Sequence, residues 1–351
     1  MDDLNFPHNW YILVNTYKGY HLCMRMRITK KVARELVGVL DETREKISKE
    51  TKEILERIGQ VYDFAEYERR RKRVEERIND FPSLVKQAVS MITIAPSAGR
   101  PKKLNLIQRT HLFFLTGVLN KSNRDTIALL GSLLQAFIDV EISYKYIERL
   151  YSDEQVEMVL HNVFVLMLKK VGVSGKFAGD GTGYSLLITK HYRTNPKKKA
   201  KDYRYAFRLI DLETGMYVGV GYSTKSEMDA FHKAMKMVKE FGISIDSIAL
   251  DKYYSSRKVL KLFGNDTSLY LLPKKNIAKI GLKWAKIFNE ILEDPVKYLK
   301  NYFQRNLSEA AFSADKRRFG WIIRQKREER QEMAMFSIAL LHNIFTVRVA
   351  P

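Results

Sequence analysis

The chain of 351 residues carries 61 Lys and Arg against 40 Asp and Glu, a formal net charge of +21, and 45% of its residues are hydrophobic. This charge favours a polyanionic partner, and the length exceeds what one hydrophobic core usually organises, so we expect at least two globular domains. The single Cys23 excludes an internal disulfide framework and a cysteine zinc cluster, and neither a secretory signal nor a long apolar run is present. We therefore expect a cytoplasmic protein with no membrane attachment.

Residues 1–95 are predicted to be mostly charged helix. Two short strands are expected at the start of this region, at 10–14 and 20–26, before the charged helix begins. From about 31 to 80 the sequence is dense in Glu, Lys and Arg, and its apolar residues recur at helical spacing. This pattern predicts a long helix or a helix pair, packed on its own domain or forming a coiled-coil contact with another chain.

A basic linker is predicted at 96–103, where Gly and Pro interrupt the helical pattern and the charge becomes purely positive. Its Gly99-Arg100-Pro101 segment has two interpretations. It is an ordinary interdomain linker, or it lies extended in a narrow minor groove of DNA with the Arg100 side chain inserted. Arg100 is therefore a candidate DNA-binding residue.

Residues 104–170 are predicted to form a compact helical region. Ser122 or Asn123 is suited to cap one helix, running through Leu130, and Ser143 is suited to cap a second. Two capped helices favour a DNA-binding helix-turn-helix whose second helix enters the major groove. Because the connection is longer than the usual turn of this motif, an ordinary helical bundle is an equal alternative.

From residue 171 to 351 the pattern changes to a mixture of strands and helices. Three meandering strands are followed by a helix capped by Ser226, a short apolar strand, a second helix and a further strand. With a closing helix near the C-terminus, this order predicts an α/β fold, a mixed sheet flanked by helices, behind a mainly α-helical N-terminal region. The apolar stretch 333–345 predicts a buried helix in which His342 is structural. The strands are predicted at 177–189, 203–209, 217–222, 245–250 and 268–272.

Three carboxylates in this region are candidate metal ligands. Asp180 lies in the first strand between glycines, which leave room for a ligand or for another backbone. Asp251 follows an apolar strand, at the sheet edge where α/β proteins bind ligands. Each aspartate also has a structural interpretation, Asp180 as a turn residue and Asp251 as a helix cap. Together with Glu309 they form an oxygen-only ligand set that suits Mg²⁺ or Mn²⁺.

Four residues near the C-terminus have an informative spacing. Tyr302, Arg305, Glu309 and Lys316 are separated by two, three and six residues. A helix with about 100° between residues would place all four on one narrow face. An aromatic ring, a carboxylate and two cations on one face suit a site that holds a metal ion and grips phosphates. An ordinary amphipathic helix with an ion pair is the alternative.

This spacing, together with Asp180 and Asp251, resembles the Tyr-(2)-Arg-(3)-Glu-(6)-Lys signature of the DDE transposases of prokaryotic insertion sequences. The resemblance covers 177–345, roughly half of the chain. It implies a ribonuclease H-like catalytic domain at 171–351, in which Asp180, Asp251 and Glu309 bind two Mg²⁺ or Mn²⁺ ions. Members of this class often carry a large β insertion before the glutamate. In this sequence only residues 273–300 are available for such an insertion.

The same resemblance implies the reaction and the partners. The enzyme would cut at the ends of its element to expose a 3′-hydroxyl, which then attacks target DNA. The expected partner is double-stranded DNA, both the terminal inverted repeats and the target, and the expected assembly is a nucleoid-associated homodimer that pairs two ends. Two further functions use the same residues: a non-catalytic DNA-binding protein derived from a transposase, and a structure-selective nuclease.

Several residues are predicted to contact DNA. Tyr302 is suited to stack on a flipped base, and Arg305 and Lys316 are suited to bind phosphates near the scissile bond. A basic loop at 190–201 joins two strands of the catalytic sheet and is the preferred backbone-contact element, with a solubilising tip as the alternative. The candidate residues in this loop are Lys197, Lys198 and Lys199.

Overall fold

A computed structural model of the chain describes residues 29–58, 63–93, 102–186, 203–274 and 280–346. Three predicted features lie outside these ranges. They are the two N-terminal strands, the part of the linker that contains Arg100, and the basic loop with Lys197, Lys198 and Lys199.

The described residues form two compact units. Unit 1 takes its residues from Met1–Phe64 and Ile245–Asn306, and unit 2 takes its residues from Ala65–Ser244 and Leu307–Pro351. The domain boundaries predicted at 95, 103 and 170 do not coincide with these units. The predicted boundaries follow changes in composition between neighbouring segments of the sequence, whereas each unit consists of segments that are far apart in the chain.

Helices and strands are numbered in chain order. The helices are α1 (Lys30–Ile58), α2 (Phe64–Ser90), α3 (Leu106–Leu119), α4 (Asn123–Ile138), α5 (Tyr144–Leu150), α6 (Glu154–Val171), α7 (Glu227–Glu240), α8 (Arg257–Leu260), α9 (Leu282–Glu293), α10 (Pro295–Phe303), α11 (Asn306–Phe319) and α12 (Glu328–Phe345). The strands are β1 (Lys176–Leu186), β2 (Tyr203–Asp211), β3 (Tyr217–Ser223), β4 (Ser247–Leu250), β5 (Ser268–Tyr270) and β6 (Ile322–Ile323).

Unit 1 combines the long helix α1 with a small strand pair and three C-terminal helices. Strands β4 and β5 are parallel, with Ser247 opposite Ser268. The buried residues of α1 recur at helical spacing, as the sequence predicted: Ala33, Leu36, Val37 and Leu40. Within the described part of 273–300 the chain forms α9 and the start of α10 and no strand.

The charged N-terminal region is a helix pair, which confirms one of the two predicted arrangements. Helix α1 ends at Ile58 and lies in unit 1, and α2 begins at Phe64 and lies in unit 2 from Ala65 onward. Helix α2 packs in unit 2 through apolar residues at helical spacing: Val74, Phe81, Val85 and Ala88.

The sheet of unit 2 is mixed, as predicted. Strands β1 and β2 are antiparallel with Asp180 opposite Arg208, and β2 is antiparallel to β3. The short strand β6 adds to β1 in parallel, with Ser185 opposite Ile322. The predicted hairpin turn between β2 and β3 is closed by the Asp211 carboxylate, which accepts hydrogen bonds from backbone N–H groups of the turn at 2.7 and 3.0 Å.

Helix α7 covers one face of this sheet at very short range. Its predicted cap is confirmed, because the Ser226 hydroxyl accepts from the N–H of Asp229 at 3.1 Å. On β3, Gly219 and Gly221 make the close approach feasible. A Cβ added at Gly221 would lie 2.0 Å from the carbonyl oxygen of Ala230.

A buried ionic cluster joins α11 and α12 to the other face of the sheet. The Asp315 carboxylate accepts from the Arg208 guanidinium and from the Tyr217 hydroxyl, both at 2.8 Å, and lies 2.7 Å from Nδ1 of His342. All four side chains are buried, and the other His342 nitrogen lies 2.9 Å from the backbone oxygen of Gly215. Burial first, and then the Asp315 carboxylate, raise the pKa of Tyr217 well above its ordinary value.

The buried C-terminal helix was predicted correctly. Helix α12 is buried along most of its length. His342 within it is a structural histidine, since both of its ring nitrogens face protein acceptors.

The helical region 104–170 is confirmed as helices, and its helix-turn-helix interpretation remains a prediction. The Ser122 cap is present, but α4 continues to Ile138 instead of ending near Leu130. The connection to α5 is therefore shorter than predicted, only residues 139–143. Helix α5 has seven residues, of which Ile147 and Leu150 are buried.

No helix in the part of the chain that the structure describes is long and apolar enough to span a bilayer.

Candidate catalytic site

The Tyr-Arg-Glu-Lys signature spans two helices. Tyr302 is the second-last residue of α10, Arg305 lies in a two-residue turn, and Glu309 and Lys316 lie on α11. The N–H of Arg305 donates to the carbonyl of Tyr302 at 3.2 Å, and this short-range bond closes the turn. The prediction of one shared helix face is therefore wrong. The first two signature residues belong to unit 1 and the last two to unit 2.

Three predicted site residues lie together in unit 1. Asp251 follows β4, and its carboxylate accepts from the N–H of Tyr253 at 3.5 Å, so it caps the short 3-10 helix Lys252–Tyr254, whereas Ser256 caps α8. The other carboxylate oxygen lies 3.8 Å from the Arg305 guanidinium. This guanidinium also lies 5.5 Å from the centre of the Tyr302 ring. Unit 1 thus places a carboxylate, a cation and an aromatic ring in one cluster.

The Tyr302 ring is fully buried, with 0% of the residue exposed. Burial raises the pKa of its hydroxyl, and this effect outweighs the lowering by Arg305. A ring enclosed by protein does not face a DNA base. In this structure Tyr302 packs beside Arg305, and its stacking on a flipped base remains a prediction.

In unit 2, Lys316 contacts the strand that carries Asp180. The Lys316 ammonium donates to the Thr182 hydroxyl at 2.6 Å and lies 5.5 Å from the centre of the Tyr184 ring. Because side chains alternate along a strand, Asp180 points to the same sheet face as Thr182 and Tyr184. Partial burial, and secondarily Arg208, lower the pKa of Lys316. The structure therefore sets this cation on the Asp180 face of the sheet.

Glu309 lies on the same side of α11 as Lys316 and two turns before it. The pairing of Ser185 with Ile322 brings the strand after α11 to the end of β1. On β1, Lys316 contacts Thr182, two residues after Asp180. The association of Glu309 with Asp180 remains a prediction.

Gly181, next to Asp180, makes room for a side chain of the protein. A Cβ at Gly181 would lie 2.1 Å from the Glu227 side chain, whereas a Cβ at Gly183 would make only an ordinary contact, 3.5 Å from Tyr203. The space that Gly181 leaves is filled by Glu227. Glu227, which sequence analysis missed, places a further carboxylate against the backbone next to Asp180. A glycine inside a strand was the available signal for such a close approach.

The three predicted metal ligands are divided between the units, with Asp251 in unit 1 and Asp180 and Glu309 in unit 2. Over the ranges that the structure describes, no three His, Cys, Asp or Glu side chains lie close enough together to hold a metal ion. Carboxylate oxygens have the right chemistry for Mg²⁺ or Mn²⁺. Metal binding by these acids therefore remains a prediction.

Comparison with known proteins identifies the family. No protein-family model matches the chain. The chain is 55% identical over 323 residues to a protein of Archaeoglobus fulgidus described as a probable transposase for insertion sequence element ISA1214. The alignment covers 92% of this chain and 98% of that protein. At this identity and coverage, the chain belongs to the family of insertion-sequence transposases.

Proposed function

We propose that the chain is a DDE transposase, with a ribonuclease H-like catalytic domain, that cleaves DNA at element ends and transfers the cut strand into target DNA. The observation that carries the proposal is the contact of Lys316 with Thr182 on the β1 face that carries Asp180, with Glu309 two turns earlier on the same side of α11. The Archaeoglobus relative is described as a transposase of an insertion element, so the ends of such an element are the expected DNA.

In this proposal Asp180, Asp251 and Glu309 are the metal ligands. Two Mg²⁺ or Mn²⁺ ions, when bound, would activate the attacking oxygen and stabilise the leaving oxygen of the phosphodiester. In strand transfer the 3′-hydroxyl forms one new phosphodiester bond and one target bond breaks, so the number of bonds is unchanged. The other residues bind and orient DNA around this exchange.

The cations of the signature have distinct tasks. Lys316 is held by Thr182 at 2.6 Å, so its ammonium is fixed where it can neutralise a phosphate near the Asp180 face. Arg305 lies 3.8 Å from Asp251 and orients that carboxylate. Arg100, Lys197, Lys198 and Lys199 are proposed as sequence-independent contacts to the DNA backbone, consistent with the net charge of +21.

One observation favours a second candidate, a DNA-binding protein without catalysis. No cluster of three metal-binding side chains occurs in the described ranges. Such a protein would bind element ends through the same basic residues and leave them intact.

The deciding experiment uses labelled DNA from the flanks of the gene, the purified protein, and its Glu309→Gln variant, in Mg²⁺ or Mn²⁺. We expect the wild type to cut at one position, and the variant to bind equally but not to cut. Glu329→Gln, an exposed glutamate on α12, is the matched control and should cut like the wild type. Binding without cleavage by the wild type would reject the catalytic proposal and favour the second candidate. Cleavage by Glu309→Gln would remove Glu309 from the site.

A further inference from the structure

Helix α1 carries a cation at a position of its buried stripe. The apolar residues Ala33, Val37 and Leu40 follow one another at spacings of four and three, and all three are buried. The next position of this pattern, four residues after Leu40, is Arg44, and its side chain is half-buried. Charged side chains are rarely taken out of water without a partner. The packing of α1 alone therefore does not explain Arg44.

This part of α1 lies at the cluster that contains Asp251. Asp41 lies 3.6 Å from the ammonium of Lys252, the residue that follows Asp251. Arg44 lies one helical turn after Asp41, on the same side of α1. Burial raises the pKa of the Tyr302 hydroxyl, and the charge of Arg44 is close enough to oppose this rise. All of these residues belong to unit 1, so the N-terminal helix packs beside the cluster.

The charges of the cluster leave Arg44 without a counter-ion. Arg305 lies 3.8 Å from the carboxylate of Asp251. Lys252 lies 3.6 Å from the carboxylate of Asp41. Arg44 forms no hydrogen bond or ion pair with any residue that the structure describes. An anion can therefore pair with Arg44 while both existing ion pairs stay intact.

We propose that Arg44 binds a phosphate of the DNA backbone beside Asp251, an inference that rests on the proposed function because that function brings DNA to this cluster. A guanidinium suits a phosphate, because two of its N–H groups donate in parallel to two phosphate oxygens. The bound phosphate supplies the counter-ion that Arg44 lacks within the described ranges. Helix α1 is then part of the surface that holds the DNA.

Binding of the labelled flank DNA, measured without divalent metal, tests this contact separately from cleavage. We expect Arg44→Gln to weaken binding roughly tenfold or more. Arg34→Gln is the matched control and should bind like the wild type, because Arg34 is an exposed arginine of the same helix, ten residues earlier. Equal binding by Arg44→Gln and the wild type would overturn the contact. A wild type that binds but does not cut would reject catalysis alone, and one that does not bind would reject both proposals.

Uncharged phosphate analogues locate the contact on the DNA. Replacing one phosphate at a time by a methylphosphonate should weaken binding of the wild type at each phosphate that the protein contacts. One of these positions should no longer matter for Arg44→Gln, because the side chain that contacts it is gone, whereas Arg34→Gln should keep every sensitive position. An unchanged set of sensitive positions in Arg44→Gln would overturn the proposal.

Urea unfolding separates a DNA contact from a structural role of Arg44. Because Arg44 has no counter-ion in the described part of the protein, Arg44→Gln should be at least as stable as the wild type. A variant that unfolds at lower urea concentration, or that does not fold, would show that Arg44 stabilises the fold itself. This result would overturn the proposal.

Discussion

Replacing Asp315 by leucine is expected to destabilise unit 2 strongly. Asp315 accepts hydrogen bonds from Arg208 and Tyr217 at 2.8 Å and contacts His342 at 2.7 Å, and Arg208 is completely buried. Loss of the carboxylate leaves the Arg208 charge buried without its counter-ion. Removing one partner of a buried ion pair costs about 3–5 kcal/mol. Whole proteins have about 5–15 kcal/mol of stability, so the loss is large but measurable.

The double variant Arg208→Met/Asp315→Leu separates this cause from a simple loss of packing. It removes both charges and keeps apolar volume, so it should be more stable than Asp315→Leu by on the order of 2 kcal/mol. Urea unfolding followed by circular dichroism gives each free energy of unfolding. The exposed pair of Lys236 and Glu240, 3.6 Å apart, provides the control, and Glu240→Gln should cost at most about 1 kcal/mol.

Two results would refute the reasoning. If Asp315→Leu costs less than about 1 kcal/mol, the buried charge is not held by this carboxylate. If the double variant is no more stable than the single one, the cost comes from lost packing or from the other hydrogen bonds of Asp315.

Three further predictions concern DNA binding, pH and packing. For DNA binding, Lys316→Met should reduce the magnitude of the negative slope of log K (the association constant) against the logarithm of the salt concentration by about 1. An unchanged slope would mean that Lys316 contacts no phosphate. Burial lowers the pKa of His161, so the free energy of unfolding should fall as pH drops below the ordinary histidine value of about 6.5. The His161→Phe variant should show a flatter dependence over this pH range, and an identical pH curve would contradict the assignment. Gly221→Ala should destabilise by about 2 kcal/mol or more because the new Cβ meets the Ala230 carbonyl at 2.0 Å, whereas Gly38→Ala, with nothing within 4 Å, should be neutral or stabilising in the same unfolding assay.

Local features were predictable because their hydrogen bonds connect residues close in sequence. Ser226 and Ser256 cap their helices by accepting from an N–H three residues later. The hairpin after β2 is closed within a few residues by Asp211. A cap or a tight turn is thus specified almost completely by a short segment.

The site was less predictable, for two physical reasons. The break at Gln304 and Arg305 contains neither Gly nor Pro, and the polar and apolar residues on either side continue a helical pattern, so no local signal marks it. The partners that fix α11 come from distant segments: Arg208 and Asp315 are 107 residues apart. The burial of Tyr302 likewise depends on packing that spacing alone does not contain.

The ionic cluster also has a consequence for how the protein is made. Translation adds about 5–20 residues per second, and domains generally fold as their residues emerge. The strand with Arg208 is synthesised long before Asp315 and His342, and the whole of Ile245–Asn306 is made in between. Until the last segment leaves the ribosome, the Arg208 side of the sheet has no counter-ion and no covering helices. A chain that stops before Asp315 therefore lacks the carboxylate and the helices that complete this cluster of unit 2.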